Sequence, residues 1–67
     1  MGMEDFKRFA EVSEKAFRNR ANEAGKRASA LIEQGEYLAA ADALAEAIRY
    51  DGIAKEYGFI IEAEVWE

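Results

Sequence analysis

Any catalysis by this chain would have to run on carboxylates, because the side chains that most often do nucleophilic or metal chemistry are absent. The 67 residues include no histidine and no cysteine. That removes the base a nucleophilic triad requires and the usual ligands of a structural zinc site. The carboxylates that come in close pairs are Glu62 with Glu64 and Asp42 with Glu46. A working acid–base pair needs a pocket that drives its two pKa values apart. Here the paired acids sit among other polar residues, so their spacing predicts solvated faces. The glycines are scattered singly and form no phosphate-cradling loop. No stretch spaces its acids as a calcium-binding loop does. We expect a chain that is not an enzyme and needs no cofactor and no metal.

Composition narrows the classes further. A chain of this length holds one domain, residues 1 to 67, and buries only about 60% of its unfolded surface, so its own core is small. Without disulfides or a metal, a domain of this size often gains stability from a partner or from self-association, and a homo-oligomer is expected. The net charge is −5, which disfavours direct binding to nucleic acid or to anionic lipid. The N-terminal Met1-Gly2-Met3-Glu4-Asp5 is acidic and has no apolar region of the signal-peptide kind. The apolar runs are far too short to span a membrane. A cytoplasmic setting fits the lack of cysteine, and the lack of proline fits a chain that is almost all helix.

Periodicity defines the elements. In residues 4 to 20, Phe6, Phe9, Ala10, Ser13, Ala16 and Phe17 recur at three- and four-residue spacing, as on one face of a helix. Glu4 and Asp5 would occupy its first turn, where the helix dipole favours acids. Glu4–Arg8, Glu11–Lys15 and Glu14–Arg18 are acid-before-base pairs four apart, each worth ~0.3 kcal/mol. Asn19, Asn22 and Gly25 weaken the helical pattern over residues 19 to 25. We expect a break near Asn19–Asn22; the alternative is one helix through to Gln34, because the stripe continues in phase through Ala24, Ala28 and Leu31. Gly25 then marks a place of close helix approach.

Residues 22 to 34 put Ala24, Ala28, Leu31 and Ile32 on one side, and Gly35 comes next as a left-handed C-terminal stop. Residues 37 to 50 restart with Tyr37, Ala40, Ala41, Leu44, Ala47 and Ile48 on one face. Mostly alanine inward positions let two helix axes approach at the near end of the usual ~8–10 Å. Leu38 and Ala45 widen the apolar arc beyond what one helix covers, so a third element or another subunit is expected there. Asp51-Gly52 reads as a turn. The segment from Ile53 to Glu67 fits a helical face through Ile53, Tyr57, Ile60, Ile61 and Val65, while residues 59 to 66 also fit a strand by alternation. Helix is preferred, since a lone strand has nothing to pair with. The expected fold is all-α: three or four helices around an antiparallel helical hairpin.

Residues 24 to 52 resemble one tetratricopeptide repeat, a helix–turn–helix unit. The likeness rests on Ala28, Leu31, Gln34-Gly35-Glu36-Tyr37 at the turn, then Ala40, Leu44, Ala47 and the closing acid Asp51. Gly52 stands where the family usually has proline, and Ala24 where a large aromatic is common. Only one full repeat is present, whereas such arrays use about three. The resemblance implies a protein-interaction scaffold with Asn22, Gly25, Lys26, Ser29, Ile32 and Glu33 along its groove. The basic-and-amide pair with which some members hold a peptide carboxylate is missing, since Gly25 and Ser29 occupy those places.

Charge is unevenly divided. Residues 1 to 34 hold six acids and seven bases, whereas residues 35 to 67 hold eight acids and two bases, Arg49 and Lys55. An acidic half that also carries Tyr50, Tyr57, Phe59 and Trp66 suits docking onto a protein. The expected function is a self-associating protein-interaction module, with Leu38, Phe59, Ile60 and Trp66 as contact residues beside the groove positions. The alternative is a small acidic inhibitor or nucleic-acid mimic, of phage or mobile-element type, that occupies the surface of a basic partner.

Overall fold

One helical hairpin makes up the described chain. The computed structural model describes residues 3–63, in which α1 (Met3–Glu33) folds back through a short turn onto α2 (Tyr37–Glu62). The Cα atoms extend over 50 × 14 × 13 Å, the proportions of two long helices lying side by side. The architecture is all-α, with two helices among the described residues where the spacing predicts three or four. The break expected near Asn19–Asn22 does not form, and neither does the turn expected at Asp51-Gly52; both segments are helical. A glycine inside a helix costs only about 1 kcal/mol relative to alanine. Packing against the partner helix outweighs that, because Ala24, Ala28 and Ala54 are buried around those positions. The helix continues through Ile60 and Glu62, so a strand does not form over 59 to 62; residues 64 to 66 of that reading lie outside the described residues.

The packing obeys a seven-residue repeat. On α1 one series of positions turned from solvent is Ala10, Glu14, Phe17, Ala21, Ala24, Ala28 and Leu31; on α2 it is Ala40, Ala43, Ala47, Tyr50, Ala54, Tyr57 and Ile61, with Lys7, Ser13, Gly25, Glu46, Asp51, Ile53 and Gly58 partly shielded beside them. Steps of three and four alternate along both series. This spacing keeps one seam of each helix on its neighbour when the two supercoil, as in an antiparallel coiled coil. Among the described residues the buried side chains are all alanine, at 10, 24, 28, 40, 43 and 54, and no larger side chain is completely enclosed. The small inward side chains expected from the sequence are therefore present.

Phase on each helix is corrected, however. Leu44 and Ile48, expected inward on α2, stand 45% and 73% exposed, and Ala43 occupies the seam in their place. Tyr37 and Ala41 are exposed as well, as are Phe6, Phe9 and Ala16 on α1. A seam one methyl deep has no room for these larger groups, so they flank it.

Away from the turn, aromatic rings fill the seam. Phe17 lies 6.0 Å from both Tyr50 and Tyr57, nearly parallel to Tyr57 at 12°, while Phe9 meets Tyr57 edge-on at 6.3 Å. The Arg20 guanidinium covers Phe17 at 5.3 Å, a cation–π contact. Among the described residues the ion pairs include Glu14–Arg18 at 3.2 Å and Asp51–Lys55 at 3.2 Å, each within one helix, and Arg27–Glu46 at 3.4 Å, which joins the two; all lie at least partly in solvent. Exposed pairs of this kind contribute at most about 1 kcal/mol each, so the hairpin rests on the seam.

The turn shows why α1 stops. Gly35 has φ +76°, its N–H donates to Ile32 O at 3.0 Å, and the Glu36 N–H donates to Leu31 O at 2.9 Å. That pair of bonds is a Schellman closure, which satisfies the last carbonyls of α1 with a left-handed glycine. The stop expected at Gly35 is thus observed. Glu36 then begins α2 without a side-chain cap. Gly35→Ala should lower stability by about 1–2 kcal/mol, the cost of a Cβ in the left-handed region, and thermal denaturation monitored by circular dichroism at fixed concentration will measure it.

Candidate protein-docking faces

The seam divides the remaining surface into two long flanks and the outer backs of the helices. One flank, near the turn, is formed by Asn22, Gly25, Ser29 and Ile32 of α1. Residues three and four apart share a helix face, so these four lie in line. Tyr37, Ala41, Leu44 and Ile48 form the matching line on α2. The lines meet in a shallow groove that runs between Ala21 and Asn22 on one side and Leu44, Ala47 and Ile48 on the other, closed by Asp51. No acid or base belongs to either line. Tyr37 is 69% exposed and Ile32 47%.

Beyond this strip, toward the ends away from the turn, the same flank becomes charged. Arg18, Lys55 and Glu62 border a second depression together with Gly58 and Phe59. Arg18 is held by Glu14, and Lys55 by Asp51.

The opposite flank has the reverse order. Near the turn it carries the Arg27–Glu46 pair. Far from the turn it carries the Phe6–Phe9–Tyr57 ring contacts and a groove lined by Ile53, Glu56, Tyr57 and Ile60. Apolar surface therefore sits at opposite ends of the rod on its two flanks.

The residues proposed from sequence as contacts fall in several places. Asn22, Ser29 and Ile32 share the uncharged strip. Lys26 and Glu33 are on the back of α1, one position round from it, and both are exposed. Among the described residues Leu38 is the most exposed of the large apolar side chains at 88%, on the back of α2 close to the turn. Phe59 and Ile60 lie about 32 Å further along the axis, at 1.5 Å per residue. They are both exposed and belong to different depressions. Trp66 lies outside the described residues. Sequence reasoning missed Leu44, Ile48 and Tyr37 as surface residues. The signal that identifies them is the heptad itself: the series Ala40, Ala47, Ala54 and Ala43, Tyr50, Tyr57 leaves them one position outside the seam.

Among the described residues no three acidic side chains converge as a cation site requires. Asp42 and Glu46 share the flank that also carries Arg27, with Glu46 engaged by it. Glu62 borders the depression beside Arg18, and Glu64 lies outside the described residues. No helix among the described residues is long and apolar enough to cross a membrane. Comparison with protein-family models, with curated proteins and with solved structures finds no match.

Proposed function

We propose that the chain is a non-catalytic protein-interaction module that associates with itself and docks a protein partner through apolar, aromatic and acidic surfaces. One observation carries this reading: the enclosed side chains are alanines, while Tyr37, Leu38, Ile48 and Phe59 lie mostly in solvent. Burial stabilises by about 0.8 kcal/mol per methylene, so an alanine seam contributes little per residue, and large apolar side chains are left in solvent. Contiguous exposed apolar surface is characteristic of sites where another macromolecule binds. Leu38, Phe59, Ile60 and Trp66 remain the proposed contacts on the helix backs and far end.

The tetratricopeptide likeness contributes to this proposal over residues 24 to 52 only. Helices of 31 and 26 residues exceed what a 34-residue repeat divides between its two helices. Of the groove positions it implies, Asn22, Gly25, Ser29 and Ile32 share one flank, and these are the ones we retain. A cysteine-free chain suits a cytoplasmic location, which we propose with it.

Self-association is tested by sedimentation velocity and thermal melts over a dilution series. A melting temperature that rises with concentration supports it, by mass action. A monodisperse monomer at high micromolar concentration removes it.

The second reading is an acidic inhibitor or nucleic-acid mimic, which the acid-rich half beyond residue 35 favours. It is the weaker of the two, because Arg27 and Lys55 interrupt the acidic surface by pairing with Glu46 and Asp51. Capture of a basic partner that fails steeply as salt rises would instead favour it.

A further inference from the structure

We infer that the turn joins its two helices in a phase that keeps each chain folded on itself, so that copies cannot exchange helices by straightening. This holds whether or not intact hairpins associate with one another.

A hairpin with so short a turn has an obvious competitor. If residues 34 to 36 became helical, α1 and α2 would form one rod, and two such rods could lie antiparallel. α1 of each copy would then take its place beside α2 of the other. Exchange of this kind is a low-cost route to a dimer when the native contacts are recovered. Only three residues separate Glu33 from Tyr37, and the helices themselves would not need to change.

Recovery of the contacts depends on phase. In α1 the last seam positions are Ala24, Ala28 and Leu31, in steps of four and three. Continued along a straight helix, that series falls on Gly35, Leu38, Asp42, Ala45, Arg49 and Gly52. The seam of α2 instead runs through Ala40, Ala43, Ala47, Tyr50 and Ala54. Ala40, where a step of three begins, stands two residues before position 42, where the continued series would begin its own. At 3.5 residues per turn, two residues carry the seam roughly to the opposite side of the rod.

A neighbouring rod could therefore cover one seam of each copy but not both. If α1 kept its contacts, Asp42 and Arg49 would enter a seam one methyl deep. The buried Ala40, Ala43 and Ala54 would at the same time be turned to solvent. In the hairpin the left-handed Gly35 reverses the chain and brings the α2 seam back onto α1. The stop at Gly35 and the two-residue offset oppose exchange separately, so removal of the first leaves the second in force.

Pulsed electron spin resonance between two labels on one chain tests this. The chain has no cysteine, so Val12→Cys and Glu56→Cys supply the attachment points, and both positions are exposed. In the hairpin they stand near one level of a rod whose shorter extents are 14 and 13 Å. In a straightened chain they would be about 66 Å apart, at 1.5 Å per residue. Dilution with excess unlabelled chain leaves only distances within one chain. The otherwise wild-type chain and Gly35→Ala should both give the short distance alone; the long distance in either overturns the inference.

Deletions at the turn then separate phase from turn chemistry. Removing residues 33 to 37 brings the two seams into register. This variant should form a dimer of straightened helices, with labels about 60 Å apart. Gly35→Ala with two alanines inserted after it restores the register too and serves as a second such variant. Removing residues 34 to 36 abolishes the turn equally but leaves the seams two residues out of register in the other sense. It should lose most of its cooperative melting by far-UV circular dichroism. If it instead forms the same straightened dimer as the in-register variants, phase is not what prevents exchange.

Discussion

Replacing Phe17 with alanine should destabilise the hairpin by about 2–3 kcal/mol, a large part of the total for a domain of this size. Phe17 is the ring through which the helices meet away from the turn, with Tyr50 and Tyr57 each 6.0 Å from it. Its removal forfeits two aromatic contacts, each worth about 0.5–1.5 kcal/mol beyond area, and the Arg20 contact above them. The cost stays below that of an enclosed phenylalanine because the ring is only partly buried. Phe59→Ala, on the back of α2, should change single-chain stability by less than about 0.5 kcal/mol. Urea denaturation of both variants, at a concentration where the chain is a single copy, makes the comparison.

Ala24→Leu should act in the opposite sense of volume and cost about 3 kcal/mol, at the upper end for overpacking. Ala24 has no solvent exposure, and neither do Ala10 and Ala54. The side chains opposite are of the same small size, so three added carbons have no cavity to enter and the helices must separate locally. Neighbouring alanine contacts then loosen as well. Ala45→Leu, on the exposed back of α2, should be nearly neutral. Urea denaturation compares this pair too, and equal costs at the two positions would mean that the alanine seam is not what sets the distance between the helices.

Phe17 and Ala24 also mark the boundary between the legible and the illegible in this sequence. The turn was legible because one residue decides it: Gly35 has the one geometry that closes α1, and its neighbours form the expected bonds. Helix continuity was not. Asn19, Asn22 and Gly52 each argue locally for an interruption, and each penalty is small beside the contacts that a continuous helix makes with its partner. Helix phase was misread for a different reason. Leu44 and Ile48 are more apolar than Ala43, and a ranking by hydrophobicity turns them inward in its place. A seam that selects for smallness turns them outward. The candidate docking strip suffered accordingly, with its α1 half (Asn22, Gly25, Ser29, Ile32) read from the groove likeness and its α2 half assigned to the core.

The rod-like pairing of the two helices also governs how the chain folds. Contacts beside Gly35 close loops of only a few residues, whereas Phe9 and Tyr57 close nearly the whole chain. Loop-closure entropy grows with that separation, but each contact formed brings the next pair within reach. The helices are therefore expected to zip from the turn outward, each local contact shortening the loop that the next must close. On that route the aromatic contacts would form last, as a clasp at the end of the rod away from the turn.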